Sequence, residues 1–457
     1  MIAAADWTSS HMPTAEPISA RPHERNPWLA VAAPVAVFIV AMVAAWYRMP
    51  ATVRNTWWAE DARIFSQRAL DPSSLPWSVF TSYDGYVHVL PQSVAWVLWY
   101  AIPIPIDLMA QAFTAAACAV AAAVAALIFI LTGQWGLNLP GRLLLAFTTV
   151  LVPGLSYELI GNIANAHWFL LWLAPFLFLA RPARWWSSVL LGILSFVVLT
   201  SEVQAVLFTP LLLWRVTDRR RWPLIVGAGA GAAIQAIAVL GGGRKTWGTG
   251  LPSVLSILDG YAMQVPLLGL SGTGQAASVI VAYSGWAAAY AAIIPFVLCA
   301  AWWAWRARGR ALLAGGILVA SLAIWTAGYA LNQSSAFDFA TADRGTLLSG
   351  IPLLRYAIVP LMLLFAYVGL AVGRQKLSRA TFHRAVAGAL VVLCLAIFAV
   401  NYRVEVPSLR TVGPTWSEGL SDAREECEES PGDEFVEIPI APVQYWTFEI
   451  QCERIAR

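Results

Sequence analysis

Apolar runs of about twenty residues recur between residues 28 and 402, and no other feature restricts the possible folds so strongly. As an α-helix, such a run crosses a hydrocarbon layer roughly 30 Å thick with its backbone polar groups bonded internally. The composition agrees: 59% of residues are hydrophobic and 12% are charged, against about a quarter charged in soluble domains. A soluble chain of 457 residues would divide into two or three domains. One all-α polytopic bundle is the simpler expectation here. Residues 1–27 carry Pro13, Pro17, Pro22 and Pro27 in a polar setting and read as a disordered tail. No short basic segment with a small-residue cleavage site precedes the apolar run 28–47, so that run reads as a retained first span.

Basic residues set the expected orientation. Arg181 and Arg184, Arg215 with Arg219, Arg220 and Arg221, Arg306 with Arg308 and Arg310, and Arg374, Lys376, Arg379 and Arg384 form four clusters. The positive-inside rule assigns them to cytoplasmic loops. The expected spans are then 28–47, 107–131, 142–157, 167–180, 186–199, 203–214, 222–240, 278–303, 311–330, 356–372 and 385–402. Segment 86–102 contains His88, Pro91 and Gln92 beside Trp96, Trp99 and Tyr100, and reads as a helix lying at the outer interface. The count is eleven spans within 28–402 in the cytoplasmic membrane, N-terminus inside and C-terminus outside. The outer loops are 48–106, 241–277 and 331–355.

Residues 403–457 form an extracytoplasmic appendage in this reading. Its acids Glu425, Glu426, Glu428, Glu429, Asp433 and Glu434 suggest a solvated face, and FVEIPI and QYWTFEI suggest two short strands. Cys427 and Cys452 are the appendage's only cysteines, and in an exported tail they are expected to pair. Cys118, Cys299 and Cys394 sit in apolar runs as small packing residues.

The outer turns collect the chain's sparse polar groups. Glu60 and Asp61 follow the first span beside Trp57 and Trp58; SYDGYVHVLPQ adds Asp84 and His88. YELIGNIANAHWF adds Glu158, Asn162, Asn165 and His167, and Glu202 lies between two apolar half-lengths. Arg344 and Arg355 come from the last outer loop. Polar groups near membrane level are expensive and tend to line cavities, so these are expected to converge on one cleft. Each has a plainer role available: helix capping for the acids, structural hydrogen bonding for the histidines and asparagines, interfacial snorkelling for Arg355.

This arrangement resembles the GT-C superfamily of membrane glycosyltransferases, notably the lipid A aminoarabinose transferases and protein mannosyltransferases. EDAR, Glu60 to Arg63, looks like the family's DEAR stretch with the acids reversed. DGYVHVLPQSVAWVLW resembles its surface helix, and RYAIVPLMLLFAYVGL its late span with arginine at the mouth. The resemblance implies a polyprenyl-phosphate-linked sugar as donor, a glycan, lipid or protein acceptor, and inverting transfer on the outer face. Glu60 or Asp61 would be the general base, and Arg355 with Arg344 would hold the leaving phosphate. The reversed order leaves open which acid is the base. No cofactor is required; a divalent metal near Glu60, Asp61, His167 and Glu202 is left open. GxxxxGK[ST], GxGxxG after a strand, HExxH and CxxC are all missing, so nucleotide-fuelled or zinc chemistry and nucleic-acid binding have no support. A transporter or lipid flippase, and a non-catalytic scaffold of the same shape, are the alternative functions.

Overall fold

A computed structural model describes residues 27–71, 73, 75–155, 159–242, 252–306, 311–332, 337–349, 354–373, 381–403, 410–430 and 434–455. The expected N-terminal tail, Glu158, and segments 243–251, 333–336 and 350–353 of the two later outer loops lie outside the described residues. The chain is an all-α multi-pass membrane protein, with two small hairpins among the described residues. Among the described residues, eight helices are long and apolar enough to cross a membrane: Val31–Arg48, Ile106–Gly133, Arg219–Leu240, Val254–Ser271, Trp286–Trp305, Ala311–Leu331, Arg355–Gly373 and Thr381–Val400. Seven of them fall on expected spans. The other four expected spans fall on shorter apolar helices, Leu139–Leu151, Ala164–Phe178, Trp185–Ser201 and Val203–Leu213.

In chain order, α1 is Pro27–Arg48 and α2, a short helix in the loop that follows α1, is Val89–Trp96. They are followed by α3 (Met109–Gly133), α4 (Leu139–Leu151), α5 (His167–Phe178), α6 (Trp185–Ser201) and α7 (Trp222–Leu240). The later helices are α8 (Val254–Ala262), α9 (Gly274–Ser284), α10 (Ile294–Arg306), α11 (Ala311–Asn332), α12 (Leu354–Gly373) and α13 (Thr381–Val400). The appendage holds α14 (Trp416–Glu429).

Two expectations are corrected. The loop expected over 241–277 contains a helix, Val254–Ser271, made of α8, a wider turn at Met263–Leu267 and a last turn at Leu268–Ser271. Ser256, in its first turn, bonds the Tyr329 hydroxyl and the Phe339 backbone N–H, while Gly272, just past its end, lies against Asn401. Both ends therefore meet the same end of the bundle. The span expected over 278–303 is broken at Gly285, where a φ of 78° is open to glycine and strained for side chains with a Cβ. Only the part from Trp286 onward belongs to a helix of crossing length.

The central strut is α12, whose apolar window is wholly buried, against 17% for α13. Its last turns are built for close approach: a Cβ added at Gly141 on α4 would stand 2.4 Å from Gly373 Cα and 2.6 Å from the Gly369 carbonyl. Small residues four apart let helix backbones meet in this way where lipid tails offer no hydrophobic drive. Asn138 finishes the joint, capping α4 through Gly141 N–H and donating to the Val372 carbonyl. At the opposite end of α4, buried Arg48 donates to the carbonyls of Val150, Val152 and Asn401, tying the ends of α1, α4 and α13 together.

The appendage is joined to the loop between α1 and α3. Strands β3 (Phe435–Pro439) and β4 (Thr447–Gln451) pair antiparallel where the two short strands were expected. Cys427 and Cys452 form the disulfide. Ala441 bridges Trp58 in parallel, exchanging backbone bonds with Trp57 and Ala59. The Trp416 indole stands edge-on to Trp57 at 4.8 Å and donates to the Ile106 carbonyl. Arg424 grips both oxygens of Asp107 at 2.9 and 3.0 Å.

Candidate functional site

The loop between α1 and α3 folds back beneath the appendage and over the ends of α5, α6 and α7. Its Asp84-Gly85 pair has positive φ at both positions, 50° and 82°, as a tight hairpin turn requires. That turn joins β1 (Ser82–Tyr83) to β2 (Tyr86–Val87). Gln235 of α7 fixes the hairpin by bonding both the N–H and the carbonyl of Val87. Ser201, at the end of α6, accepts from Leu90 N–H and so seats α2. The loop is thus held by side chains from the ends of α6 and α7.

A line of rings runs through this seat. His88 is 2% exposed and packs on Tyr86 at 4.3 Å, His167 at 5.3 Å, Tyr83 at 5.8 Å and Phe65 at 6.1 Å between centroids. Neither His88 ring nitrogen has a hydrogen-bond partner among the described residues. Burial, then His167 and Arg68, hold its pKa well below the ordinary histidine value, so His88 is neutral near pH 7. His167 pairs through Nδ1 with Glu202, whose other oxygen accepts from Gln204 N–H and caps the helix Val203–Leu213. Trp168 next to His167 stands edge-on to Tyr356 at 5.6 Å, which carries the line to Arg355 and the mouth of α12.

Charge collects around Tyr83. Its hydroxyl is pushed up by burial first, then by Glu60 and Asp84, while Arg355 and Arg68 pull it down. Glu60 and Arg355, separated by most of the chain, therefore both act on one phenol ring. Glu60 and Arg355 are half-buried and Asp84 is exposed. Arg68, which the sequence reading passed over, lies 5.8 Å from the Tyr83 ring centre and donates to the Ser82 carbonyl.

Asp61 has a different setting from Glu60. It is 1% exposed, and its two oxygens accept from Ile163 N–H at 2.9 Å and Ala164 N–H at 2.7 Å. Burial raises its pKa to about 7, against the pull of those two N–H groups and of Arg410, and with a smaller push from Glu60. Asn162 caps the same turn through Asn165 N–H. Asp61, Asn162 and Asn165 thus shape the loop before His167. Arg344 is exposed and lies over the Tyr283 ring at 4.1 Å, on α9; its neighbour Asp343 caps Thr346. Among the described residues no three His, Cys, Asp or Glu side chains are grouped so as to hold a metal ion.

Arg410, also passed over in the sequence, bears electrostatically on Asp61 and lowers its pKa against the effect of burial. It is 2% exposed and donates to the carbonyls of Ile160, Gly161 and Thr56 and to the Thr114 hydroxyl. Between the appendage and the first loop, a cleft of about 340 Å³ is lined by Arg63, Gln67, Arg68, Asp71, Glu449 and Arg454 among others. Compared with models of protein families, with curated proteins and with solved structures, the chain matches none.

Proposed function

We propose that the protein is a membrane glycosyltransferase of the GT-C type, moving a sugar from a polyprenyl-phosphate donor to an acceptor at the outer face of the cytoplasmic membrane. Eleven crossings, with the four shorter apolar helices included, the N-terminus inside and the C-terminus outside, belong to the same proposal. What supports it is that Arg355 at the mouth of α12 lies over Tyr356, which the ring line through Trp168, His167 and His88 joins to Tyr83, and that Glu60 and Arg355 both bear electrostatically on the Tyr83 hydroxyl.

Glu60, half-buried and bearing on the Tyr83 hydroxyl, is the base; Asp61, whose oxygens accept from Ile163 and Ala164 N–H, is a positioning residue that anchors Glu60's loop. As the acceptor oxygen attacks the anomeric carbon, its proton passes to the Glu60 carboxylate. The bond from that carbon to the phosphate oxygen breaks, and the oxygen keeps the electron pair. Arg355, with Arg68 behind it, faces the charge that then appears on the lipid phosphate, a task suited to guanidinium donors. Attack from the face opposite the leaving group inverts the anomeric centre. Neutral His88 packs against Tyr83 and, with the His167–Glu202 pair, supports it from the buried side, and Asp84 lies exposed next to it.

The test is complementation of a deletion strain with wild-type and Glu60→Gln chains. Glycans and glycolipids of the envelope, and the pool of polyprenyl-phosphate sugars, are measured by mass spectrometry. The proposal expects one sugar decoration to be lost in the deletion and in the variant, with its lipid-linked precursor accumulating. Full restoration by Glu60→Gln, or loss of a decoration without precursor accumulation, would refute it.

A further inference from the structure

The other end of the bundle has a chemistry of its own. A cavity of about 710 Å³ lies between the far ends of α3, α5, α10 and α12, the near end of α11 and the helix Val203–Leu213. Its volume is within the roughly 300–1,000 Å³ of sites that bury organic ligands. Trp135, Trp172, Phe176, Phe208, Trp214 and Trp303 supply much of its wall. At its edge, three guanidinium groups gather on one indole: Arg181, Arg215 and Arg221 lie 4.7, 5.2 and 5.3 Å from Trp214. Arg181 and Trp214 line the cavity themselves.

Arg221 is the informative member. It is fully buried and gives Nη2 to the Phe178 carbonyl, while Nε and Nη1 have no hydrogen-bond partner among the described residues. The acid that bears on it is Asp218, whose Oδ1 is taken by Arg220 N–H. Burying guanidinium donors without acceptors is expensive. An aromatic-walled cavity opening beside three arginines therefore has the two halves of a site for an amphiphile with an anionic head.

We propose that this cavity binds an anionic phospholipid from the leaflet that meets this end of the bundle, its phosphate against Arg181 at the cavity edge, with Arg215 and Arg221 adding positive charge from the same indole, and one acyl chain among the tryptophans. Basic pockets between spans recognise lipid head groups in this manner. Occupancy would brace the short helix Val203–Leu213, whose other end is capped by Glu202. The lipid is thus a structural partner, independent of the transfer reaction at the opposite end.

The experiment uses the purified full-length protein in mild detergent and native mass spectrometry. Dioleoylphosphatidylglycerol, dioleoylphosphatidylcholine and undecaprenyl phosphate are titrated separately. The proposal expects phosphatidylglycerol to bind at least about tenfold more tightly than phosphatidylcholine. Two variants separate head from tail. Arg181→Gln removes a cation at the cavity edge. Gly316→Trp fills the cavity from a lining position where an added Cβ meets nothing within 4 Å. Each, kept monodisperse, should weaken phosphatidylglycerol binding about tenfold. Equal retention of the two phospholipids, unchanged binding in both variants, or preference for undecaprenyl phosphate lost in Gly316→Trp would overturn the assignment.

Discussion

Arg410 and Asp61 hold the same loop from its two polar sides. The guanidinium takes the carbonyls of Ile160 and Gly161, and the carboxylate takes the N–H groups of Ile163 and Ala164. Residues 160–164 are thereby fixed by opposite charges, each of which is the other's electrostatic partner. One charge comes from the loop after α1 and the other from the start of the appendage, so the C-terminal segment helps to shape the seat of His167.

Replacing Arg410 by methionine should therefore unlock this loop. It leaves three buried carbonyls without their donor and removes the cation that bears on Asp61, and each unsatisfied buried acceptor costs about 1–3 kcal/mol. Arg410→Lys should recover little, because one ammonium cannot reproduce the fork. Thermal unfolding followed by size-exclusion fluorescence measures both; unchanged midpoints would remove Arg410 from this role.

Asp61 should give the stability a pH signature. Its folded pKa lies near 7, raised from 3.8, so between those values the folded state binds more protons than the unfolded one. The contribution is then largest below pH 3.8 and falls as pH rises towards 7. Asp61→Asn should flatten that part of the unfolding profile, its deficit relative to wild type, from one lost acceptor, being largest at low pH and shrinking as pH rises towards 7. An identical slope in variant and wild type would contradict the assignment.

The disulfide closes a segment with a sequence separation of 25 between Cys427 and Cys452. Loop-closure entropy for a segment of that size amounts to about 3 kcal/mol. Cys427→Ser with Cys452→Ser should lower the unfolding midpoint and speed proteolysis within 431–446. Equal protease resistance would mean that α14 and the hairpin hold together without it.

Arg355→Ala should raise the donor KM about 10- to 100-fold, the loss of a charge-assisted bond worth about 1.5–3 kcal/mol, with the fold intact. A donor KM equal to that of the wild type would take Arg355 out of the phosphate site.

How much of this was legible in the sequence follows from which forces act locally. The positions of most helices were, because an apolar run must satisfy its own backbone. The strands β3 and β4 and the Cys427–Cys452 bridge were too, since alternation and a lone pair of tail cysteines are local signals. Gly285 was not: an interruption of one residue inside 278–303 hardly changes hydropathy. The helix 254–271 sits in a stretch whose polar surroundings hid its burial among α11, α12 and Phe339. Asp84-Gly85 carried a hairpin signal that was available and unused. Arg410 was illegible because its partners, Thr56, Thr114 and the carbonyls at 160–161, are far away in sequence and mostly backbone. The adjacency of Glu60 and Asp61 suggested one shared task, whereas backbone donors at 163–164 claim only Asp61.

The most direct measurement is steady-state transfer by the purified wild-type and Glu60→Gln proteins with a polyprenyl-phosphate sugar donor, reading release of polyprenyl phosphate. Removing a general base lowers rates by about 10²–10⁴-fold. The account predicts a kcat fall in that range with the donor KM and the unfolding midpoint unchanged. A Glu60→Gln protein that transfers sugar at the wild-type rate would contradict it.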